Sequence, residues 1–328
     1  PICAFGIVSN ILKKKSQSSK PERIDSSYPP LALLQRVTEE YPDAWEKIQN
    51  LTKGLDKTST ECVYRIISRV QNALLSQDGS FGNLSADESA KLEKICFEFY
   101  PNIFMLTPSR YYYDGYFLPI KHFEVGVFWD KHSMNTFDQT TLINIKDKDI
   151  IDVGGFIGDS ALIFREFTKE KIHTFEATSK NFELMQKTLQ MNESSQIIPN
   201  KLALGSAKGS MRINLAGSAS SAMYSYNNGE YEDVSVITLD EYVRENNLKI
   251  GFIKVDIEGG EMDFLRGGLE TIKTQRPAML ISIYHHPEQF FGIKPFIESL
   301  NLGYKFKIHK PVDNTISIET ALYCEILN

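Results

Sequence analysis

From Asp149 onward the chain alternates between short apolar runs and amphipathic stretches. Runs rich in Ile, Val and Phe predict strands over 150–153, 171–176, 196–204, 251–257 and 278–285. Between them, apolar positions recur at helical spacing and predict helices over 160–168, 181–191, 240–245, 261–273 and 287–300. Extended pieces at 208–215 and 234–238 flank a small, Ser-rich loop at 217–222. Strands alternating with helices build a mostly parallel sheet covered on both faces. The last two strands, 304–309 and 319–327, have no helix between them and predict an antiparallel hairpin at one edge. The expected fold class is α/β, a doubly wound, Rossmann-like, seven-stranded sheet.

Upstream the period changes. Leu31, Leu34 and Val37, then Trp45 and Ile48, follow a helical stripe; Cys62, Ile66, Ile67, Val70, Leu74 and Leu75 form another. Asp87 and Glu88 open a third, with Leu92, Ile95, Cys96 and Phe99 on its apolar face. Residues 1–30 run from apolar through Lys13, Lys14 and Lys15 into a Ser-, Pro- and Lys-rich stretch. That order is the reverse of a secretory signal and reads as a terminal segment and linker. The expected division is 1–30 terminal segment, 31–105 helical extension and 106–328 main domain. Between them, 109–134 crowds Tyr111, Tyr112, Tyr113, Tyr116, Phe117, Phe123, Phe128 and Trp129 with His122 and His132. Such rings serve as core, or as a cover over a ligand at the first strand.

Charge and cysteine usage narrow the classes. The net charge of −6 supplies no general basic field for nucleic acid or anionic membrane. No apolar run is long enough for a transmembrane segment. Cys3, Cys62, Cys96 and Cys324 lack CxxC spacing, which argues against zinc or a disulfide framework and for a cytoplasmic setting. The apolar helical extension suits a homodimer.

The chemistry concentrates at strand ends, where ligands of such sheets sit. Asp152-Val153-Gly154-Gly155-Phe156-Ile157-Gly158 reads as strand, tight turn, then a helix beginning with Asp159 and Ser160. A dinucleotide fingerprint needs Gly-x-Gly-x-x-Gly, and Phe156 and Asp159 occupy the second and third glycine positions. The remaining Asp-x-Gly-x-x-x-Gly is the pattern of S-adenosylmethionine (SAM) sites, and a nicotinamide oxidoreductase would lack its glycines. Glu176, followed by Ala177, ends the second strand, where a carboxylate can accept both hydrogen bonds of a ribose diol. Leu202 and Ala203 reach the adenine edge. Asp256, in a second acidic, glycine-bearing strand end, faces the reacting centre, while Glu258 and Glu261 could equally cap the next helix.

In the order of these pieces the run 150–327 resembles the FkbM family of SAM-dependent O-methyltransferases. The resemblance is carried by Asp152 to Ser160, Phe175-Glu176-Ala177-Thr178, Asn200 to Gly205, Thr238-Leu239-Asp240 and Ile253 to Glu261. Ile281 to Glu288 and Glu319 to Tyr323 are similar to a bacterial, carbohydrate-modifying branch. The family commonly carries Ala where this chain has Gly155. The resemblance implies a class I SAM-dependent fold and methyl transfer to a hydroxyl of a sugar, a nucleotide-activated sugar or surface-glycan precursor of polysaccharide biosynthesis. A non-sugar small molecule and a non-catalytic SAM-binding scaffold stay open. Methyl transfer needs an aligned hydroxyl and a proton acceptor; the candidates are His285, Asp256 and His309. Asp256, Glu258 and His285 also form an O/N set for a divalent cation, Mg or Mn.

Overall fold

The computed structural model describes residues 43–75, 84–222, 229–313 and 315–327. The terminal segment 1–30 and the stripe begun by Leu31, Leu34 and Val37 lie outside them. Three helical pieces come first: α1 (Ala44–Thr52), α2 (Lys57–Leu75) and α3 (Ala86–Lys94), the last running into a π-turn at Ile95–Phe99. Ser85 caps α3 in a reciprocal box with Glu88, satisfying two orphan backbone donors.

The central sheet has seven strands: β4 (Asp149–Val153), β5 (Ile172–Phe175), β6 (Ile197–Asn200), β10 (Ile250–Val255), β11 (Ala278–Ser282), β12 (Lys305–His309) and β13 (Ala321–Glu325). Their spatial order is β12-β13-β11-β10-β4-β5-β6, with β13 alone reversed. The predicted terminal hairpin therefore inserts its second strand between β11 and the edge. Alternation divides the strands' side chains between two cores. Ile151, Val153, Ile253, Val255 and Leu322 join Leu51, Val63 and Ile66 of the first two helices on one face. Ile150, Phe252, Leu280 and Tyr323 join Leu92, Ile95 and Phe99 on the other. The N-terminal helices thus pack on both sides of the sheet. Trp45, expected on a buried stripe, is 63% exposed.

Helix α4 (Gln139–Ile145) leads into β4, and the crossover helices are α5 (Asp159–Phe164), α6 (Ser179–Met191), α7 (Leu239–Asn246), α8 (Glu261–Gly267), α9 (Leu269–Gln275) and α10 (Pro287–Ser299). The helix expected over 261–273 breaks at Gly268, whose φ of −114° and ψ of 14° leave the helical region; Gly267 before it nearly touches Gly205, where a Cβ would meet the carbonyl oxygen at 2.0 Å. The strand expected over 196–204 also divides. After β6 the chain leaves the main sheet, and β7 (Ala203–Leu204) pairs with β9 (Tyr231–Ile237), which pairs with β8 (Gly209–Asn214). The aromatic segment supplies an unforeseen antiparallel meander, β1 (Phe104–Thr107), β2 (Arg110–Tyr113) and β3 (Tyr116–Leu118).

Candidate active site

The carboxyl ends of β4, β5, β10 and β11 converge on one cleft, the position the topology reserves for ligands. At its centre the turn after β4 is folded by close approach. Gly154 has φ of 79°, and a Cβ on it would lie 1.8 Å from the Asp256 carbonyl oxygen. Gly154 and Gly155 both donate to the Phe175 carbonyl, at 3.1 and 2.8 Å, tying the turn to β5. A Cβ on Gly155 would meet Thr174 Oγ1 at 2.0 Å, which explains why this chain carries Gly there and not Ala. Phe156 completes the turn at φ of 42°, and Gly158 precedes α5 at 85°.

Asp152 is wholly buried beneath the turn. Thr174 Oγ1 donates to its Oδ2 at 2.7 Å, and Lys254 Nζ stands 3.4 Å from Oδ1. A carboxylate sealed this way reaches a ligand through the turn it braces. Glu176, at the end of β5, accepts from Thr178 N and Oγ1 at 2.7 and 2.6 Å. Burial raises its pKa against those bonds and one from Asn181. Ala177, Leu202 and Ala203 line this end half-buried. The Ser-rich loop spans from here to the far wall: Asn181 Nδ2 donates to Gly217 O at 3.0 Å and Ser221 Oγ to Glu258 O at 2.6 Å.

The aromatic segment divides between its two expected roles. Tyr113, Phe123 and Phe128 are core. His122 lies edge-on to Phe156, ring centres 4.8 Å apart, and pairs with Glu124 at 2.8 Å. Burial opposes the charge on His122, but Glu124 and then Asp159 push its pKa up to about 8. His132 Nε2 is 3.0 Å from Ser160 Oγ, and its ring stacks on Phe164. Burial and the nearby Lys254 push His132 down to about 3, so it is neutral. Lys131, His132 and Ser133 all hold positive φ, and this strap is pinned by Lys131–Glu166 at 2.6 Å and by Tyr323 Oη donating to His132 O at 2.9 Å. Asp159, buried behind it, is pushed up to about 6 by desolvation.

On the other side, β10 and β11 bring together Asp256, Glu258, Glu261, Tyr284 and His285. The His285 ring is buried, with Nδ1 2.8 Å from Glu261 Oε1 and Nε2 3.3 Å from Asp256 Oδ1 and 3.6 Å from Glu258 Oε2. Burial alone would lower its pKa; Glu261, Asp256 and Glu258 outweigh that and push it up to about 10. That shift carries His285 above the neutral range expected of a base and favours the protonated ring at pH 7. Glu261 is fully buried and also accepts from Ile257 N, Gly259 N and Gln289 Nε2, a structural hub for the loop. Glu258, at φ of 51°, is pushed up to about 7 by burial, with Asp256, Glu261 and Glu124 adding to it against His285. Tyr284 Oη donates to Asp256 Oδ1 at 3.4 Å.

For a cation, the tightest group is Asp256, Glu261 and His285, whose ligand atoms all lie within 4.8 Å of one another. Glu261 enters this group at His285 Nδ1, while Glu258, expected in the set, stands 3.6 Å from Nε2. His309 is not in this group. It pairs in register with Ala321, which pairs with Ser282, so it stands two strands, roughly 10 Å, beyond β11. Its ring faces Tyr323, and burial, Lys91 and Lys310 push it down to about 4.

Lys254, Tyr284, Glu124 and Ser221 were not singled out by sequence reasoning. Lys254, Asp256, Ser282, Glu319 and Tyr323 line a cavity between the sheet and the strap. The only sequence signal for Lys254 was its place inside an otherwise apolar strand run.

Residues 152–306 match the family described as the methyltransferase FkbM domain. A solved methyltransferase FkbM from Methylobacillus flagellatus superposes with a TM-score of 0.56 at 15% identity, over 88% of this chain and 60% of that one. An rRNA methylase from Streptococcus thermophilus aligns at 15% identity with a TM-score of 0.36, over 57% of this chain and 92% of that one. No curated protein sequence matches. The chain spans 60% of the length of the Methylobacillus relative, and that likeness establishes the shared fold.

Proposed function

We propose that this chain, which carries an FkbM-type SAM-dependent methyltransferase domain over residues 152–306, methylates a hydroxyl of a sugar, a nucleotide-activated sugar or surface-glycan precursor. The observation that carries the reading is the juxtaposition of two walls. The glycine turn and Glu176 border one end of the cleft, and Asp256, Glu258 and Tyr284 the other, with Gly154 packed directly against the Asp256 backbone. SAM supplies a methyl group already activated on a positive sulfur, whose loss leaves a neutral thioether.

The residues present fit that donor. Glu176 stands where a ribose diol would be held, and the carboxylates beyond it favour a positive sulfonium. Asp256 and Tyr284 orient the acceptor hydroxyl. Glu258, poised at about 7, takes the hydroxyl proton as the oxygen forms its bond to the methyl carbon. The imidazolium of His285 holds Asp256 and Glu258 in place. The preference for carbohydrate rests on the similarity of Ile281 to Glu288 and Glu319 to Tyr323 to the sugar-modifying branch, and the cysteine pattern favours a cytoplasmic setting. Among the described residues no helix is long and apolar enough to cross a membrane.

A second reading is favoured by the close grouping of Asp256, Glu261 and His285. A divalent cation, Mg or Mn, would replace the proton on His285 Nε2 and take that nitrogen together with Asp256 and Glu258, while Glu261 holds Nδ1. One assay addresses both readings. Transfer from methyl-labelled SAM to a panel of nucleotide sugars supports the sugar reading, and label on none of them, with SAM bound, would defeat it. Full activity after exhaustive chelation would end the cation reading; restoration by added Mn would support it.

A further inference from the structure

We propose that Lys254 is a positioning residue, an internal cation whose bond to the Gly154 carbonyl sets the SAM-binding turn. The inference rests on the SAM reading above and concerns a residue to which the family match assigns no role. Lys254 lies in a strand buried along its whole length, between Ile253 and Val255, and is 3% exposed. An ammonium in such a place is costly unless paired and hydrogen-bonded. Its register neighbour on β4 is Asp152, and the two side chains share a face. Nζ stands 3.4 Å from Asp152 Oδ1 and donates to Gly154 O at 2.8 Å and, more weakly, to Val153 O at 3.5 Å.

The Gly154 bond is the informative one. Val153 O already accepts from Asp256 N at 3.0 Å, continuing the parallel ladder. At Gly154 the chain turns out of the ladder, and its carbonyl takes a side-chain donor from the neighbouring strand instead. That donor orients the Gly154–Gly155 peptide, whose N–H points the other way, to Phe175 O. Lys254 therefore holds one side of the peptide that the β5 carbonyl holds on the other. Asp152 and Thr174 complete the brace from below. Burial disfavours the charge on Lys254, but Asp152, Asp256 and Asp159 more than restore it. The same residue lines the cavity with Ser282, Glu319 and Tyr323, so a competing role would be direct contact with the acceptor.

Calorimetric titration with SAM separates these roles. Lys254→Met keeps the aliphatic stem and removes the donor and the charge; it strands Asp152 and should lower the melting temperature. Asp152→Asn with Lys254→Met removes the stranded carboxylate and should recover melting temperature. The Gly154 carbonyl still lacks its donor, so the SAM Kd of the double variant should exceed that of Asp152→Asn alone by tenfold or more. Lys254→Gln with Asp152→Asn, which restores an N–H donor without charge, should recover much of that loss. A double variant that binds SAM as tightly as Asp152→Asn would overturn the proposal and leave Lys254 a mere counter-charge. Unchanged SAM Kd with a tenfold higher acceptor KM would assign it to the acceptor. Wild-type protein that fails to bind SAM would instead defeat the SAM reading.

Discussion

Gly155→Ala puts one methyl group into the best-defined contact of the cofactor turn. The new Cβ would lie 2.0 Å from Thr174 Oγ1, 2.8 Å from Met185 Cε and 3.2 Å from Asp152 Oδ2. Met185 can swing its flexible end aside, but Thr174 cannot retreat freely: its hydroxyl donates to the buried Asp152 carboxylate at 2.7 Å, and its side chain is fully buried. Overpacking of this kind costs about 1–3 kcal/mol, and a weakened hydrogen bond to a charged group adds up to about 1.5–3 kcal/mol. Thr174→Ala alone should lose the hydrogen bond and little else. Combined, the two substitutions should fit, because the atom in conflict is gone. The double variant should then be only slightly less stable than Thr174→Ala, leaving a favourable coupling of about 1–3 kcal/mol. Equilibrium urea unfolding of the four proteins measures this coupling, and SAM titration should show Gly155→Ala alone binding roughly tenfold more weakly, about 1.4 kcal/mol. Gly155→Ala within about 0.5 kcal/mol of wild type, or strictly additive costs, would refute the steric explanation for glycine here.

Other outcomes follow from single contacts. Glu258→Gln should lower methyl transfer by about 10²–10⁴-fold while SAM still binds; unchanged turnover in a labelled-SAM assay would remove it as base. Glu176→Ala should raise the SAM Kd by roughly tenfold or more, about 1.4 kcal/mol, and an unaltered titration would dissociate it from the ribose. Burial raises the Glu88 pKa, but Arg69 at 2.7 Å, the Ser85 backbone and Arg65 at 3.2 Å outweigh it and hold it at about 2. With the folded pKa below the unfolded value near 4.5, this stability is present above pH 5 and lost as the pH falls toward 2. Arg65 is half exposed, so the contribution is discounted to about 1–2 kcal/mol. Glu88→Gln should lose that stability at pH 7 and flatten the acid limb of the melting curve; an identical limb would discard the assignment.

The order of strands and helices in the central sheet, the hairpin at its edge and the glycine turn were legible in the chain, because each depends on periodicity and on local backbone conformation; the meander β1–β3 was not. So was the gathering of chemistry at Asp152, Glu176 and Asp256, since alternating strands and helices place strand ends together. What each group does there was not legible. His285 seemed a neutral-range base; Asp256 and Glu258 on the loop after β10 and Glu261 at the start of α8 push its pKa above that range. His309 seemed a partner, and two strand spacings separate it from the cleft. His122 and His132 were visible only as polar members of an aromatic run, and the fold lays them on the glycine turn and the helix after it.

The residues themselves therefore determined the sheet, the turn and the kind of donor it suits, through short-range spacing that survives in one dimension. Tertiary structure alone decided protonation and support: which carboxylate stays poised near neutrality, which histidine is locked as a cation, and that Lys254 braces the turn from below. Those properties come from desolvation and from charges brought within a few ångströms by distant segments. Such proximity is set by the packing of the whole chain.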